Sequence, residues 1–296
     1  MKSAYISIVG RPNVGKSTLL NNILGEKVAI VSKKPQTTRN TITGILTEGD
    51  TQYVFIDTPG VHKPKTALGK TMVKNAMRSM TDTDVIIFVV EPGKSINPAE
   101  EKLLASFTTS KIPVILAVNK TDAYKAHEIA EAIKLYSEKF DFEKVVPISA
   151  MTGDNVGFVM DTVKEHAKEG IWFFPEDIAT SQPERQIAAE IVREKLLRLL
   201  DDEIPHGTAV VIEKFQDGER MLEIAANIFC EKESHKRIII GSKGEMIKKI
   251  GSYARQDMEA FFGIKVFLDL WVKVKKNWRD SETEINRLGY KLDDRD

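Results

Sequence analysis

Residues 10–17 read Gly10-Arg11-Pro12-Asn13-Val14-Gly15-Lys16-Ser17, with Thr18 next. Gly10, Gly15, Lys16 and Ser17 fit the spacing G-x(4)-G-K-[ST]. An apolar run at 5–9 precedes the motif and a helix-like segment at 16–24 continues it. In that setting the glycines let the backbone curl so that successive N–H groups face one phosphate. The helix N-terminus adds its positive dipole end. Lys16 can bring a charge to the outer phosphates, and the Ser17 hydroxyl can ligate Mg²⁺. These residues predict a phosphate-binding loop between a buried strand and a helix.

Outward from the loop, short β-branched runs recur at 53–56, 85–90, 114–118 and 145–148. They are continuous rather than alternating, as expected of parallel strands covered on both faces. A run at 41–46 alternates and reads as an edge strand. Helix-like segments at 68–80, 98–107, 127–140 and 155–168 lie between the strands, with Asn97 as a cap and Pro98 at the first helical position. The fold class is therefore α/β with a mostly parallel sheet over residues 1–170. Residues 171–183 carry Pro175 and Pro183 and no periodicity, and read as a linker. A smaller α+β domain at 184–296 follows. It opens with an amphipathic helix at 184–200 carrying Ile187, Ile191, Leu196, Leu197 and Leu200. A hairpin then joins strands 208–214 and 221–230 through a turn at 215–218. Periodicity alone would make 237–240 a strand. A helix to about 262 and a strand at 265–275 complete the unit.

Three further motifs stand at strand ends. Asp57-Thr58-Pro59-Gly60 offers a carboxylate that can support Mg²⁺ and a Gly60 N–H that can approach a γ-phosphate. In Asn119-Lys120-Thr121-Asp122, the Asp122 carboxylate can accept two hydrogen bonds from a guanine edge, donors that adenine lacks. The Lys120 stem can cover the ring face. Ser149-Ala150 can present backbone N–H groups to the base carbonyl.

The four motifs, in this order, resemble those of translation-factor-like bacterial GTPases. The resemblance implies GTP and GDP as ligands, Mg²⁺ held by Ser17, Thr38 and Asp57, and a hydrolytic centre drawn from Lys16, Thr38 and Gly60. Thr37 is the alternative to Thr38. Small GTPases commonly place a glutamine after Gly60 to orient water. Here Val61 and then His62 follow. Relatives with such an aliphatic replacement imply a K⁺ ion ligated by the loop asparagine, here Asn13, supplying the charge of an arginine finger. His62 as general base is a weaker alternative. Slow, switch-like turnover is expected.

In the second domain, Ile240-Gly241-Ser242-Lys243-Gly244 fits the KH pattern I-G-x-x-G, with an apolar, basic helix behind it. Its glycines let the backbone meet sugar-phosphate while bases lie in an apolar groove. The resemblance to type II KH domains makes 237–240 the end of a short helix. Between 232 and 276 there are eleven lysines and arginines against five acids, a local excess of six. The residues expected to contact RNA are Lys236, Ile240, Gly241, Ser242, Lys243, Gly244, Lys248, Lys249, Arg255, Lys273 and Lys275. The stretch 266–279 carries Leu270-Trp271-Val272-Lys273-Val274-Lys275 and Trp278. A GTPase domain followed by a KH domain with this ending resembles the bacterial ribosome-assembly GTPases. That resemblance implies binding to the 3′ end region of 16S small-subunit ribosomal RNA, a role in 30S subunit assembly, a monomer, and peripheral association with the inner membrane. A signalling GTPase whose second domain binds protein, and a general RNA chaperone with a regulatory nucleotide site, are the alternatives.

Composition constrains these readings. Over 296 residues, 43 basic and 43 acidic side chains give zero net charge, which argues mildly against nucleic acid until the basic segment is isolated. The chain is 42% hydrophobic, too apolar for disorder. One cysteine, Cys230, forms no internal disulfide and suits a reducing cytosol. The longest apolar run, 85–90, is far short of the ~20 residues that span a bilayer. A transmembrane segment is not expected.

Overall fold

The computed structural model describes residues 1–218 and 220–290. The acidic residues Asp293, Asp294 and Asp296, which end the expected second domain, lie outside these.

The N-terminal unit contains β1 (Lys2–Val9), α1 (Lys16–Leu24), β2 (Ile42–Glu48), β3 (Thr51–Asp57), α2 (Ala67–Arg78), β4 (Val85–Val90), α3 (Pro98–Ser110), β5 (Val114–Val118), α4 (Ala126–Ser137), β6 (Lys144–Pro147), α5 (Val156–Glu165) and β7 (Lys168–Glu169). Its sheet runs β2-β3-β1-β4-β5-β6, with β7 pairing the start of β1. β2 lies antiparallel on β3, while β3, β1, β4, β5 and β6 are parallel. Every residue of β3, β4 and β5 is buried. Helices cover both faces, which is why these strands read as unbroken apolar runs. One core gathers Ile8, Leu20, Phe55 and Ile115; the other gathers Phe88, Leu103, Phe107 and Leu116. Chain order reverses across β1, so a crevice opens beyond its C-terminal end, where such sheets bind ligands.

The C-terminal unit contains α6 (Glu184–Leu199), β8 (Ala209–Asp217), β9 (Leu222–Cys230), α7 (Glu233–Ile240), α8 (Glu245–Phe262), β10 (Val266–Val274) and α9 (Glu282–Arg287). β9 is central, antiparallel to β8 and parallel to β10. Residues 237–240 form the last turn of α7, not a strand: Ile239 is fully buried and Ile240 packs beside it on the core, while Ile238 points outward. The expected hairpin turn at 215–218 is also displaced. A bulge between Ile212 and Lys214 shifts the register, β8 continues to Asp217, and β9 starts at Leu222, with Gly218 N–H meeting Met221 O at 3.0 Å. The helix expected at 155–168 stops at Glu165, and Lys168–Glu169 pairs with Lys2–Ser3 instead. Cys230 is a buried core residue whose thiol is pushed up to about 11, chiefly by desolvation.

The segment between the units lies along the first sheet. The Gln52 side chain, fully buried, accepts from Phe173 N–H at 2.9 Å and Phe174 N–H at 3.0 Å, and donates to Phe174 O at 2.9 Å. The Phe173 ring sits 4.9 Å from Tyr5. Ile45 N–H donates to Ala179 O at 2.8 Å, and Thr180 Oγ1 to Thr43 O at 2.7 Å. A further apolar cluster spans the two units: Leu68 and Met72 of α2 pack with Ala209, Trp278, Ile285, Leu288 and Tyr290.

Candidate nucleotide and RNA sites

A cavity of about 920 Å³ opens at the crevice. Pro12, Asn13, Gly15, Lys16, Ser17, Thr18, Thr38, Gly60, Asn119, Lys120, Asp122 and Ala150 all line it. The loop that follows β1 turns into α1 through Gly15 at φ 103°, where an added Cβ would fall 2.1 Å from Asn119 Nδ2. Gly10, at φ 153°, would meet the Val89 carbonyl at 2.3 Å. Gly60 packs directly on the loop, leaving a Cβ only 2.5 Å from Pro12 N. These contacts require glycine at all three positions.

Lys16 is buried, and its Nζ donates to the Arg11 carbonyl at 3.0 Å. Desolvation lowers its pKa to about 8, against an opposing pull from Asp57. Ser17 Oγ donates to Asp57 Oδ2 at 2.7 Å and lies 2.9 Å from Thr38 Oγ1, which donates to the same carboxylate oxygen at 3.4 Å. Asp57 is fully buried, which raises its pKa, and its Oδ1 has no hydrogen-bond partner among the described residues. Two hydroxyls around a buried carboxylate with one uncommitted oxygen form an oxygen-only donor set, the kind a hard divalent cation takes. Thr37 takes no part in it: its hydroxyl turns back to Lys34 O at 2.7 Å.

On the opposite wall, buried Asn119 donates to Val14 O at 2.7 Å and accepts from Ala150 N–H at 2.8 Å. It joins the phosphate loop to the Ser149-Ala150 turn. The Ser149 hydroxyl donates to Asp122 Oδ1 at 2.7 Å, aligning that carboxylate. Lys120 Nζ is bound to Glu91, which also pairs with Arg11 at 2.7 Å. The Arg11 guanidinium reaches Glu100 as well, at 3.0 Å, so its side chain leaves the cavity and only its backbone belongs to the loop. Gly10, Val14, Asp57 and Ser149 stand behind the cavity wall rather than on it.

Val61 does not face the cavity; its side chain is buried in the core with Phe88 and Met80. His62 Nδ1 lies 2.9 Å from Gly60 O and Nε2 lies 3.3 Å from Gln36 Nε2. Both contacts fit one tautomer, in which Nδ1–H donates to the carbonyl and Nε2 accepts from the amide. No local motif announces either partner of His62. Asn13, with φ 66°, donates through Nδ2 to Lys33 O at 2.8 Å. Leu197, Arg198 and Asp201 also line the cavity, a contribution from the C-terminal unit that no motif announces.

In the C-terminal unit, Gly241 (φ 75°) and Gly244 (φ 81°) flank Ser242 and Lys243, and Lys243 is itself left-handed at φ 49°. Ser242 and Lys243 are exposed, as are Lys248, Lys249 and Arg255 on α8 and Lys273 on β10; Lys236 and Ile240 are half-buried. A groove of about 460 Å³ lies between α8 and β10, lined by Ile247, Lys248, Gly251, Arg255, Phe267 and Leu270, among others. Among the described residues, no strand pairs with the outer edge of β10. Lys275 does not extend this surface: its ammonium is bound to Glu284 and lies 5.5 Å over the Phe229 ring.

Comparison with known proteins matches residues 5–120 to a family model described as a 50S ribosome-binding GTPase, and residues 203–279 to the KH domain model. The GTPase Era of Caldanaerobacter subterraneus subsp. tengcongensis is 50% identical over 294 residues, covering 99% of both chains. That of Clostridioides difficile is 48% identical over 292 residues, covering 98% of each. Two solved structures superpose with a TM-score of 0.94 at 40% identity, over 99% of this chain and 100% of theirs. One is an Aquifex aeolicus Era variant bound to GDP·AlF₄⁻, the other an Era in complex with MgGDPNP and nucleotides 1506–1542 of 16S ribosomal RNA.

Proposed function

The chain belongs to the Era family of GTPases, and on that premise we propose how its residues bind GTP, hydrolyse it and hold ribosomal RNA. The observation that carries the reading is the convergence of Ser17, Thr38 and Asp57 at the foot of a cavity whose other wall holds Asn119, Lys120 and Asp122. Guanine lies against Lys120, with Asp122 accepting from its ring N–H and exocyclic amine. The phosphates lie in the Gly10–Thr18 loop with Lys16 on the outer oxygens. Ser17 and Thr38 hold Mg²⁺ with Asp57 behind them, and the ion neutralises charge developing on the β- and γ-oxygens. Lys16 and the Gly60 N–H stabilise the same charge.

With Val61 turned inward, no side chain after Gly60 orients water in the usual manner. Asn13 donates through Nδ2 to Lys33 O at 2.8 Å, which orients the amide beside the phosphate loop, and its Oδ1 would be the group that ligates K⁺. Equal GTP turnover in K⁺ and Na⁺ would sink this assignment.

The Gly241–Gly244 loop grips the backbone of single-stranded RNA, bases enter the groove between α8 and β10, and Lys248, Lys249, Arg255 and Lys273 hold phosphates. The RNA is the 3′ end region of 16S ribosomal RNA, and the activity serves 30S subunit assembly in the cytoplasm, with the protein acting as a monomer. Any contact with the inner membrane is peripheral, since no helix among the described residues is long and apolar enough to cross one. Crosslinking and sequencing of bound RNA tests the reading: enrichment of 16S 3′ ends is expected, and a profile without them refutes it.

A further inference from the structure

The two halves of the chain meet at the segment that carries Thr38. Residues 31–41 contain no helix or strand. Helix α6 grips this segment from outside. Arg193, fully buried, directs Nη1 to Gln36 O at 3.4 Å and Nη2 to Thr37 O. Glu190 fixes the guanidinium from the same helix, 2.8 Å from Nε and 2.5 Å from Nη2. One turn further on, Glu194 accepts from Val31 N–H at 3.2 Å, and Arg198 donates to Val31 O at 3.2 Å. On the other side of Thr38, buried Arg39 donates to Thr208 O at 2.5 Å and His206 O at 2.8 Å. Its guanidinium lies 5.8 Å from the Trp278 ring and 5.7 Å from the Tyr290 ring. Both peptides before Thr38 and the side chain after it are thus held by the C-terminal half.

We propose that Arg193 is a positioning residue for GTP hydrolysis, supplied by the RNA-binding half: by holding the carbonyls of Gln36 and Thr37 it keeps the Thr38 hydroxyl on the Ser17–Asp57 cluster. This rests on the reading of Thr38 as an Mg²⁺ ligand in the GTP state. A ligand oxygen must be held to within about half an ångström to serve. A segment without secondary structure does not fix one by itself. Its contacts within the N-terminal unit, Thr37 Oγ1 to Lys34 O, Lys34 N–H to Ser32 Oγ, Asn13 Nδ2 to Lys33 O and Gln36 Nε2 to His62, act on side chains and earlier residues and do not engage the Gln36 and Thr37 carbonyls. The fork of Arg193 supplies before Thr38 the constraint that Arg39 supplies after it, and only an arginine presents two parallel donors of fixed geometry. Hydrolysis competence then depends on the docking of the second half.

The test uses the full chain carrying Arg193→Lys, or Arg193→Gln together with Glu190→Gln so that no carboxylate is stranded. GDP affinity, GTP-analogue affinity, kcat and the Mg²⁺ concentration for half-maximal turnover are measured, with Thr38→Ala in parallel. Loss of one charged hydrogen bond predicts a fall in kcat of about tenfold or more. The Mg²⁺ requirement should rise and GTP-analogue affinity should fall, with GDP affinity within about twofold and the lysine variant retaining more activity than the glutamine one. If GDP and GTP-analogue affinities fall together, Arg193 only supports the fold and the inference is overturned. A damaged Thr38→Ala beside an unaltered Arg193 series overturns the inference alone. An unaltered Thr38→Ala removes the reading of Thr38 beneath it.

Discussion

Replacing Asn119 by alanine removes two hydrogen bonds from the middle of the nucleotide wall. The side chain is 2% exposed, its Nδ2 lies 2.7 Å from Val14 O, and its Oδ1 lies 2.8 Å from Ala150 N. Alanine leaves a buried carbonyl and a buried N–H without partners, each costing about 1–3 kcal/mol. Water admitted to the space satisfies part of that, so a total of about 2–4 kcal/mol is expected. The bonds exist before nucleotide arrives, so the loss falls on the pre-arrangement of the two loops. GDP affinity should drop about 10- to 100-fold, the range that about 1.4–2.8 kcal/mol of this cost produces. Fluorescent-GDP titration measures the drop, and urea denaturation measures the remainder as lost stability. Asn119→Asp discriminates further. It keeps the acceptor for Ala150 N–H but sets a carboxylate against the Val14 carbonyl, and should be at least as damaging as alanine. GDP affinity within twofold of the parent in both variants, with unchanged stability, would refute the bracing role.

Asp122→Asn exchanges the double acceptor for a group that can donate, and should shift preference from guanine toward xanthine nucleotides; competition binding reads this, and unchanged preference removes Asp122 from the base site. Lys16 titrates near 8 in the free protein because burial disfavours its charge. Bound phosphate raises that pKa, so affinity is full below about 8 and declines as pH rises through it. Calorimetry in two buffers should show proton uptake on GDP binding at pH 8.5 and almost none at 6.5; equal uptake at both contradicts the assignment. Gly241→Asp places a Cβ 2.7 Å from the Met246 side chain at φ 75° and adds negative charge at the RNA loop. RNA affinity should fall at least tenfold with GTP turnover intact, and an unchanged RNA affinity removes the loop from the interface.

The chemistry of the nucleotide wall was legible because local spacing encodes it. Gly15, Lys16 and Ser17 must be consecutive to start a helix on a phosphate, and Asp57 and Asn119 must end buried strands. Contacts between distant segments leave no such mark. Arg193, Glu194 and Lys195 on α6 interrupt its apolar stripe, yet all three are buried: Arg193 and Glu194 bond residues 27–37, and Lys195 pairs with Asp257 on α8. Arg39 likewise looks like an ordinary surface cation until Trp278 and Tyr290 arrive from the far end of the chain. Lys275 counted toward the basic surface, and Glu284 cancels it. Residues 237–240 show that a run of three isoleucines carries no period of its own; its helical state comes from packing Ile239 and Ile240 onto the second core.

The segment joining the two halves sets the mechanical range of the molecule. Residues 172–180 are pinned along the sheet through Gln52, Tyr5, Ile45 and Thr43, which leaves only 181–183 unpinned before α6 begins at Glu184. Three residues reach about 10 Å at full extension. The RNA-binding half is therefore hinged rather than leashed: it can pivot about its attachment, but an excursion of tens of ångströms must first peel the strap from the sheet, beginning at Thr180. Strap adhesion and swing radius are thus one variable. Substitutions at Gln52 or Thr180, far from both ligands, should lengthen the tether without changing the number of residues in it.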